Sequence, residues 1–233
     1  MALYDDLSAE TVKILKEAWT TRDGQKVPDT SELKLANDAV KLTGTVLYAD
    51  MADSTGLVQG RKASFAAEVF KVYLSAACRI IKDKGGEITA FDGDRVMAVF
   101  LGDTKNSNAV RAALGINHAV VNILNPKLKE CYPSEPTFTL KHGVGIDTSD
   151  LYVARTGVRG ANDLVWVGRA ANLAAKLASL REGDYPLWIT SDVFGNLNES
   201  VKKYTDGRAL WEAMTWKAQG GMSIYRSSWR WAL

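Results

Sequence analysis

The stretch LTGTVLYADMADSTGLV, residues 42–58, constrains this chain more than any other. Its first half is rich in β-formers and runs to Asp50. Small and polar residues follow: Ala52, Asp53, Ser54, Thr55 and Gly56. A long helical pattern begins there, with Phe65, Val69, Val72 or Tyr73, Ala76 and Ile80 at three- and four-residue steps. A strand that reads as buried therefore finishes on a carboxylate and turns directly into a helix start. A helix start offers unpaired backbone N–H groups and the positive end of the dipole, both of which attract anions. A carboxylate at the same place attracts cations. That pairing suits a metal-bound phosphate.

The rest of the chain reads as mixed α and β. A short helix is expected over 8–20, with Ser8 as N-cap, followed by a polar linker, TRDGQKVPDTSE. The helix after Asp50 should run over 54–84 and stop at Gly85-Gly86. Glu87 to Phe91 and Arg95 to Leu101 flank Asp92-Gly93-Asp94, a hairpin signal. A second helix is expected over 105–125, closed by Asn125-Pro126. Residues 137–146 and 151–156 read as another hairpin-like pair, 157–162 as a loop, 164–167 as a short apolar strand and 169–181 as a helix. The remainder reads as short strands with a Trp-rich tail. The order implies an α+β fold, an antiparallel sheet with helices packed on it and a ferredoxin-like core. Residues 1–40 are expected as an N-terminal helix and linker, and 41–233 as the main domain.

Composition narrows the options. With 233 residues, 46% hydrophobic and 24% charged, the chain is an ordinary globular sequence. A net charge of +2 makes no electrostatic case for nucleic acid or an acidic membrane. The opening 25 residues carry acids, among them those at positions 5, 6, 10 and 17, and do not read as a signal peptide. No apolar run approaches 18 residues, so a cytoplasmic, reducing location is expected. Cys78 and Cys131 are expected as free, buried thiols. His118 and His142 lie outside any metal-ligand spacing, and core or surface roles are expected for them. There is no Gly-x-Ser-x-Gly elbow and no Gly-Lys-Ser/Thr phosphate loop.

In a ferredoxin-like core the first strand and the hairpin are sheet neighbours. Asp50 and Asp94 would then reach one end of the sheet together and could hold a pair of divalent cations through oxygen ligands. Met51 to Gly56 would present backbone N–H groups to phosphate, and Ser54 and Thr55 would add hydroxyls. Taken singly, the first motif is also good N-capping and the second a good turn. Their order along one chain is what favours the site.

Four segments resemble those of class III nucleotidyl cyclases: VLYADMADSTGL, GGEITAFDGDRVMAVF, GVGIDTSDLYVARTG and VWVGRAANLAAKL. They occur in the family's order and span residues 42–180. The resemblance implies that Asp50 and Asp94 bind two divalent cations, Mn²⁺ or Mg²⁺, with help from the Met51 carbonyl. It implies that Asn172 and Lys176 form the pair that acts on the transition state. Four residues apart, they share a helix face. The family usually has Arg at the second position. Lys keeps the charge but loses the planar fork, leaving open a contribution from Arg155, Arg159 or Arg169. The implied chemistry is two-metal, in-line attack of the ribose 3′-hydroxyl with loss of pyrophosphate. A head-to-tail homodimer is implied too, with metal residues from one subunit and Asn and cation from the other. The first helix and the Trp-rich end (Trp211, Trp216, Trp229 and Trp231) would then help build the interface, or else only cover the sheet.

Two departures bear on substrate. Purine cyclases of this family read the base with a Lys and an Asp; Ala90 and Val165 stand there. Losing both readers argues against ordinary adenine or guanine selection. Tyr48, two residues before Asp50 and so on its strand face, would shorten the base pocket. Arg95 could donate to pyrimidine carbonyls. The pattern resembles the bacterial pyrimidine cyclases of the Pycsar antiphage system, which make cyclic UMP or cyclic CMP for a separate effector protein. UTP is favoured over CTP because its base offers two carbonyl acceptors. The rivals are a cytidylate cyclase, a purine cyclase with an unusual pocket, an inactive nucleotide-binding regulator and, through Gly85-Gly86-Glu87-Ile88, a diguanylate-type enzyme.

Overall fold

The computed structural model describes residues 2–233. In chain order the elements are α1 (Ala2–Lys16), β1 (Thr20–Asp23), β2 (Asp38–Ala52), α2 (Ser54–Gly60), α3 (Ala63–Asp83), β3 (Glu87–Asp92) and β4 (Arg95–Phe100). Then follow α4 (Lys105–Ala119), α5 (Asn125–Cys131), β5 (Lys141–Val158), β6 (Ala161–Val167) and α6 (Arg169–Ala178). The chain closes with β7 (Leu187–Thr190), α7 (Ser191–Gly195), β8 (Glu212–Trp216) and β9 (Met222–Ser227).

The chain divides into two compact units. The larger comprises Gly44–Ser149 and Arg169–Leu233. Its strands run in the order β3-β4-β2-β5-β7-β9-β8. The first four, taken with α3 and α4, form the β-α-β-β-α-β arrangement expected from the sequence. The main core lies on one face of this sheet. Leu47, Ala49 and Met51 of β2, Val96, Ala98 and Phe100 of β4, and Val144 and Ile146 of β5 meet Phe65, Val69, Tyr73 and Ile81 of α3 there, together with α4. On the other face α6 buries Leu173 and Leu177 against Trp188, Trp216 and Ile224. Gly143 and Gly145 make that second layer possible. A Cβ at Gly145 would lie 2.2 Å from the Ala174 carbonyl oxygen, and one at Gly143 2.2 Å from that of Ala178. The helix backbone rests directly on β5, closer than any side chain allows.

The smaller unit comprises the chain up to Thr43 and Asp150–Gly168. In it β1 pairs in parallel with the start of β2, Thr20 opposite Asp38. The end of β5 forms an antiparallel hairpin with β6, Val158 opposite Ala161. Asn37 donates to the Ile14 and Glu17 carbonyls at the end of α1, while α1 itself buries no residue.

Several expectations need correction. The first helix covers Ala2–Lys16, so Ser8 lies inside it and caps nothing. The polar linker contains β1 and a 3-10 turn, Thr30–Glu32. The strand through Asp50 continues to Ala52. The long helix is broken at Arg61 and Lys62, whose extended backbone ends α2 and starts α3. The second helix passes through a π-helical stretch, Val120–Leu124, into α5. Pro126 sits in the first turn of α5, where its missing N–H is not needed, so it does not end the helix. Residues 137–146 and 151–156 are not a hairpin: β5 is a single strand of 18 residues, and the true turn falls at Arg159-Gly160. α6 stops at Ala178 rather than 181. Cys78 and Cys131 are free, but Cys78 is only half-buried and Cys131 is exposed.

Candidate active site

The register places the acidic end of the sheet without ambiguity. β2 and β4 are antiparallel, with Tyr48 opposite Met97 and Asp50 opposite Arg95. β3 continues both rows, Ala90 opposite Met97 and Asp92 opposite Arg95. Residues directly opposite in a sheet share a face, as do residues two apart on a strand. Tyr48, Asp50, Ala90 and Arg95 therefore share one face, the one opposite Leu47, Ala49 and Met51 in the main core. Asp94, half-buried, occupies the hairpin turn one residue before Arg95. Its neighbour Gly93 has φ +60°, the left-handed backbone that this turn requires.

Asp50 is 7% exposed and neutralised from two sides. Arg95 Nε donates to Oδ1 at 3.3 Å and Arg181 Nη2 to Oδ2 at 3.1 Å. The same Nη2 reaches the Met51 carbonyl at 3.4 Å. The Arg95 guanidinium also lies 5.8 Å from the centre of the Tyr48 ring, within cation–π range. Burial, helped by Asp92 and opposed by Arg95, raises the Tyr48 phenol above its ordinary value, so it stays a neutral hydrogen-bond donor.

After Ala52 the backbone turns sharply. Asp53 has φ +57°, the only non-glycine residue in the left-handed region among the described residues. That conformation costs about 1 kcal/mol for an L-residue and is tolerated best by Asp and Asn. Asp53 precedes α2 without capping it through its side chain. Its carboxylate lies over Gly56 instead: a Cβ on Gly56 would fall 2.6 Å from Oδ1. The simple N-capping explanation for Asp53 is thus absent from the structure.

Asn172 and Lys176 lie one turn apart on α6 and are both exposed. Lys176 Nζ makes one long contact, 3.4 Å, to Gln219 Oε1. The other cations considered from sequence are placed differently. Arg169 is committed to the fully buried Asp147, to the Thr148 carbonyl and to Asp192. Arg155 binds Asn162 and the Leu33 carbonyl within the smaller unit. Arg159 sits in the exposed turn of the β5–β6 hairpin, and Val165 on β6 is 39% exposed. Sequence reasoning missed Arg181. The signal available was the Gly143-x-Gly145 pair, which announces a helix lying close on β5 and hence a loop delivered to the Asp50 end.

No group of three His, Cys, Asp or Glu side chains able to hold a metal exists among the described residues. The donors expected from the sequence are all oxygen: the Asp50 and Asp94 carboxylates and the Met51 carbonyl. A guanidinium nitrogen already bridges two of these groups, Asp50 and Met51, so they converge on one cationic position. A hard divalent ion that completes its shell with water and substrate phosphate fits such a set. His142 lies buried on the core side of β5, and its pKa is lowered to about 3 by burial and by Arg181. It is no metal ligand here. Its ring centre lies 6.2 Å from that of the fully buried Tyr73.

The fold is that of the class III cyclase catalytic domains. A crystal structure of an adenylyl cyclase from P. aeruginosa superposes with TM-score 0.65 at 21% identity, covering 81% of this chain and 95% of that one. Two relatives align over the full length of both chains. A uridylate cyclase of Xanthomonas perforans is 49% identical over 234 residues, and one of Burkholderia cepacia 44% identical over 235. No family model matches the chain. The chain belongs to the class III nucleotidyl cyclase family, alongside these uridylate cyclases. No helix among the described residues is long and apolar enough to cross a membrane.

Proposed function

We propose that this cyclase converts UTP to 3′,5′-cyclic UMP and pyrophosphate. The observation that carries the substrate choice is the Tyr48–Arg95 pair on the Asp50 face. In the same cross-strand row stands Ala90, with a methyl group where purine cyclases of the family place a Lys. Tyr48 fills part of the space a purine would need and keeps its phenolic proton. Arg95 gives Nε to Asp50 and a long Nη2 contact to Ser179, which leaves guanidinium donors spare, and uracil offers two carbonyl acceptors. Cytosine offers one carbonyl and an amino donor, a poorer match to a cation. The names of the full-length relatives support the same reading.

Asp50, Asp94 and the Met51 carbonyl would hold two divalent cations, Mn²⁺ or Mg²⁺. Such ions acidify a bound hydroxyl and neutralise phosphate charge. The turn from Ala52 to Gly56 faces the triphosphate, with backbone N–H groups, Ser54 and Thr55 as donors. The 3′-oxygen attacks the α-phosphorus in line, its proton passes to solvent, and the bond to the bridging oxygen breaks to release pyrophosphate. Asn172 orients the ribose and Lys176 stabilises charge growing on the α-phosphate. Both side chains point into solvent on α6, as expected if they complete the site of a second copy in a head-to-tail homodimer. The resemblance to antiphage pyrimidine cyclases extends the reading: cyclic UMP would act as a second messenger for a separate effector protein.

The test is to offer all four nucleoside triphosphates together with Mn²⁺ and identify products by mass spectrometry. Cyclic UMP should dominate, and Arg95→Ala should reduce UTP turnover more than ATP turnover. Cyclic AMP as the main product of the unaltered protein would reject the pyrimidine reading.

A further inference from the structure

Arg181 is absent from the sequence-derived site, yet it touches the site's central oxygens. Its Nη2 contacts Asp50 Oδ2 at 3.1 Å and the Met51 carbonyl at 3.4 Å. Its Nη1 contacts the Ala178 carbonyl at 2.5 Å and the Leu180 carbonyl at 2.9 Å, where α6 has just ended. Helix-end carbonyls carry partial negative charge and favour a cation. The guanidinium lies over Gly143, where a Cβ would fall 2.5 Å from Nη1. Below β5 lie Tyr73 Oη and His142 Nε2, both buried and both without a hydrogen-bond partner. The charge on Arg181 is felt by each of them.

We propose that Arg181 is a positioning residue that acts as a resident cation. Its Nη2 holds the Asp50 carboxylate and the Met51 carbonyl in convergence until a divalent ion replaces it, while its Nη1 stays moored to the end of α6. The inference rests on Asp50 and Met51 being metal ligands. The two nitrogens divide the work. One neutralises oxygens that would otherwise repel each other in a poorly solvated site; the other anchors the side chain to carbonyls that need no metal. When Nη2 yields, the guanidinium is parked beside the site rather than expelled. The mooring keeps it within reach of the same oxygens when the ion leaves. An ion arriving without nucleotide competes against a tethered guanidinium. An ion arriving with triphosphate brings acceptors that the freed Nη2 can use. Arg181 thereby makes metal loading depend on nucleotide.

Mn²⁺ titration of nucleotide-free protein, followed by electron paramagnetic resonance, tests this without measuring turnover. Arg181→Gln should bind Mn²⁺ about tenfold more tightly than the unaltered protein. Arg181→Lys keeps the charge but loses the two-nitrogen fork, so it should fall between them. Asp50→Asn should abolish binding in every background. A thermal melt supplies a second readout. Arg181→Gln should melt below the unaltered protein without metal, and saturating Mn²⁺ should close that gap. Equal Mn²⁺ affinity in all three Arg181 forms, with Asp50→Asn still abolishing it, overturns the resident-cation role while leaving the metal site standing. A melting deficit that Mn²⁺ does not narrow overturns it too, assigning Arg181 to packing alone. Mn²⁺ binding that survives Asp50→Asn has its own signature and removes the metal reading with the inference built on it. Should Arg181→Gln fail to fold, the comparison with Arg181→Lys carries the same decision.

Discussion

Asp50 is almost buried, and each of its carboxylate oxygens meets an arginine of the same chain. Lys176, on α6, stands in solvent with one long contact to Gln219, and Asn172 is exposed beside it. These are the two halves of the proposed chemistry, built to opposite rules. The Asp50 end is closed on itself: neighbouring strands, a loop and two guanidiniums fix its oxygens before any ligand arrives. The α6 face is held from behind by Leu173 and Leu177, and Asn172 and Lys176 are offered outward. A self-contained half beside an outward half is what a site shared between two copies requires. Metal and phosphate positions demand preorganisation, whereas residues that complete another subunit's site must stay free to dock.

The sharpest way to break that comparison is complementation. Asp50→Ala and Asn172→Ala should each lower turnover on the order of a thousandfold, since each removes one half of every site. Mixing the two inactive proteins and allowing exchange should restore about a quarter of the unaltered activity. Half of the random dimers would be mixed, and each of those holds one intact site of two. Gel filtration of the mixture checks that exchange occurred. Recovery of nothing from exchanged dimers would mean that both halves act within one chain, and the outward exposure of α6 would need another explanation.

How far the sequence spoke follows the same division. β2, β3 and β4 were legible as neighbouring strands because alternation and an Asp-Gly turn are local signals, whereas the register that sets Asp50 beside Arg95 shows only in the structure. β5 was misread because Asp147, Thr148, Ser149 and Asp150 look like a turn. In the fold, Asp147 is wholly buried and accepts from Thr190 and Arg169, and Thr148 bonds to Thr45 and the Gly44 carbonyl. Partners that far away leave no trace in a local pattern. Arg181 was invisible for the same reason, lying 131 positions from Asp50. The Trp-rich tail left two readings open. Trp211, Trp229 and Trp231 join the main core and Trp216 the smaller cluster under α6, so they pack within their own unit.

A smaller effect sharpens the comparison from the α6 side. Gly145→Ala places a methyl carbon 2.2 Å from the Ala174 carbonyl oxygen and 2.3 Å from the Ala178 nitrogen. Neither backbone atom can yield without moving α6 off the sheet. The expected loss is about 1–3 kcal/mol of stability, read as a lower urea midpoint at unchanged slope. Turnover should fall while the Asp50 end, which Gly145 does not touch, still binds Mn²⁺ in the paramagnetic titration no more weakly than in the unaltered protein, since any shift of α6 carries the moored Arg181 away from Asp50. Parallel loss of both would show that the two halves are one mechanical unit.

The mildest test probes the closed half through protons. Burial, and then the Arg181 charge, hold His142 neutral with a pKa of about 3, against about 6.5 when the chain is unfolded. Between those values the unfolded chain binds the extra proton and the folded chain does not, so stability must rise with pH. The contribution is complete above pH 6.5 and disappears progressively as pH falls toward 3. From pH 7.5 to pH 5 the loss is about 2 kcal/mol, seen as a falling melting temperature. His142→Asn should flatten that slope, because an amide does not titrate. Arg181→Gln should flatten it only in part: removing the charge eases protonation of His142, while burial, the larger cause, remains. An unaltered slope in His142→Asn would move the acid sensitivity to other groups and leave the core side of the Asp50 end electrically silent.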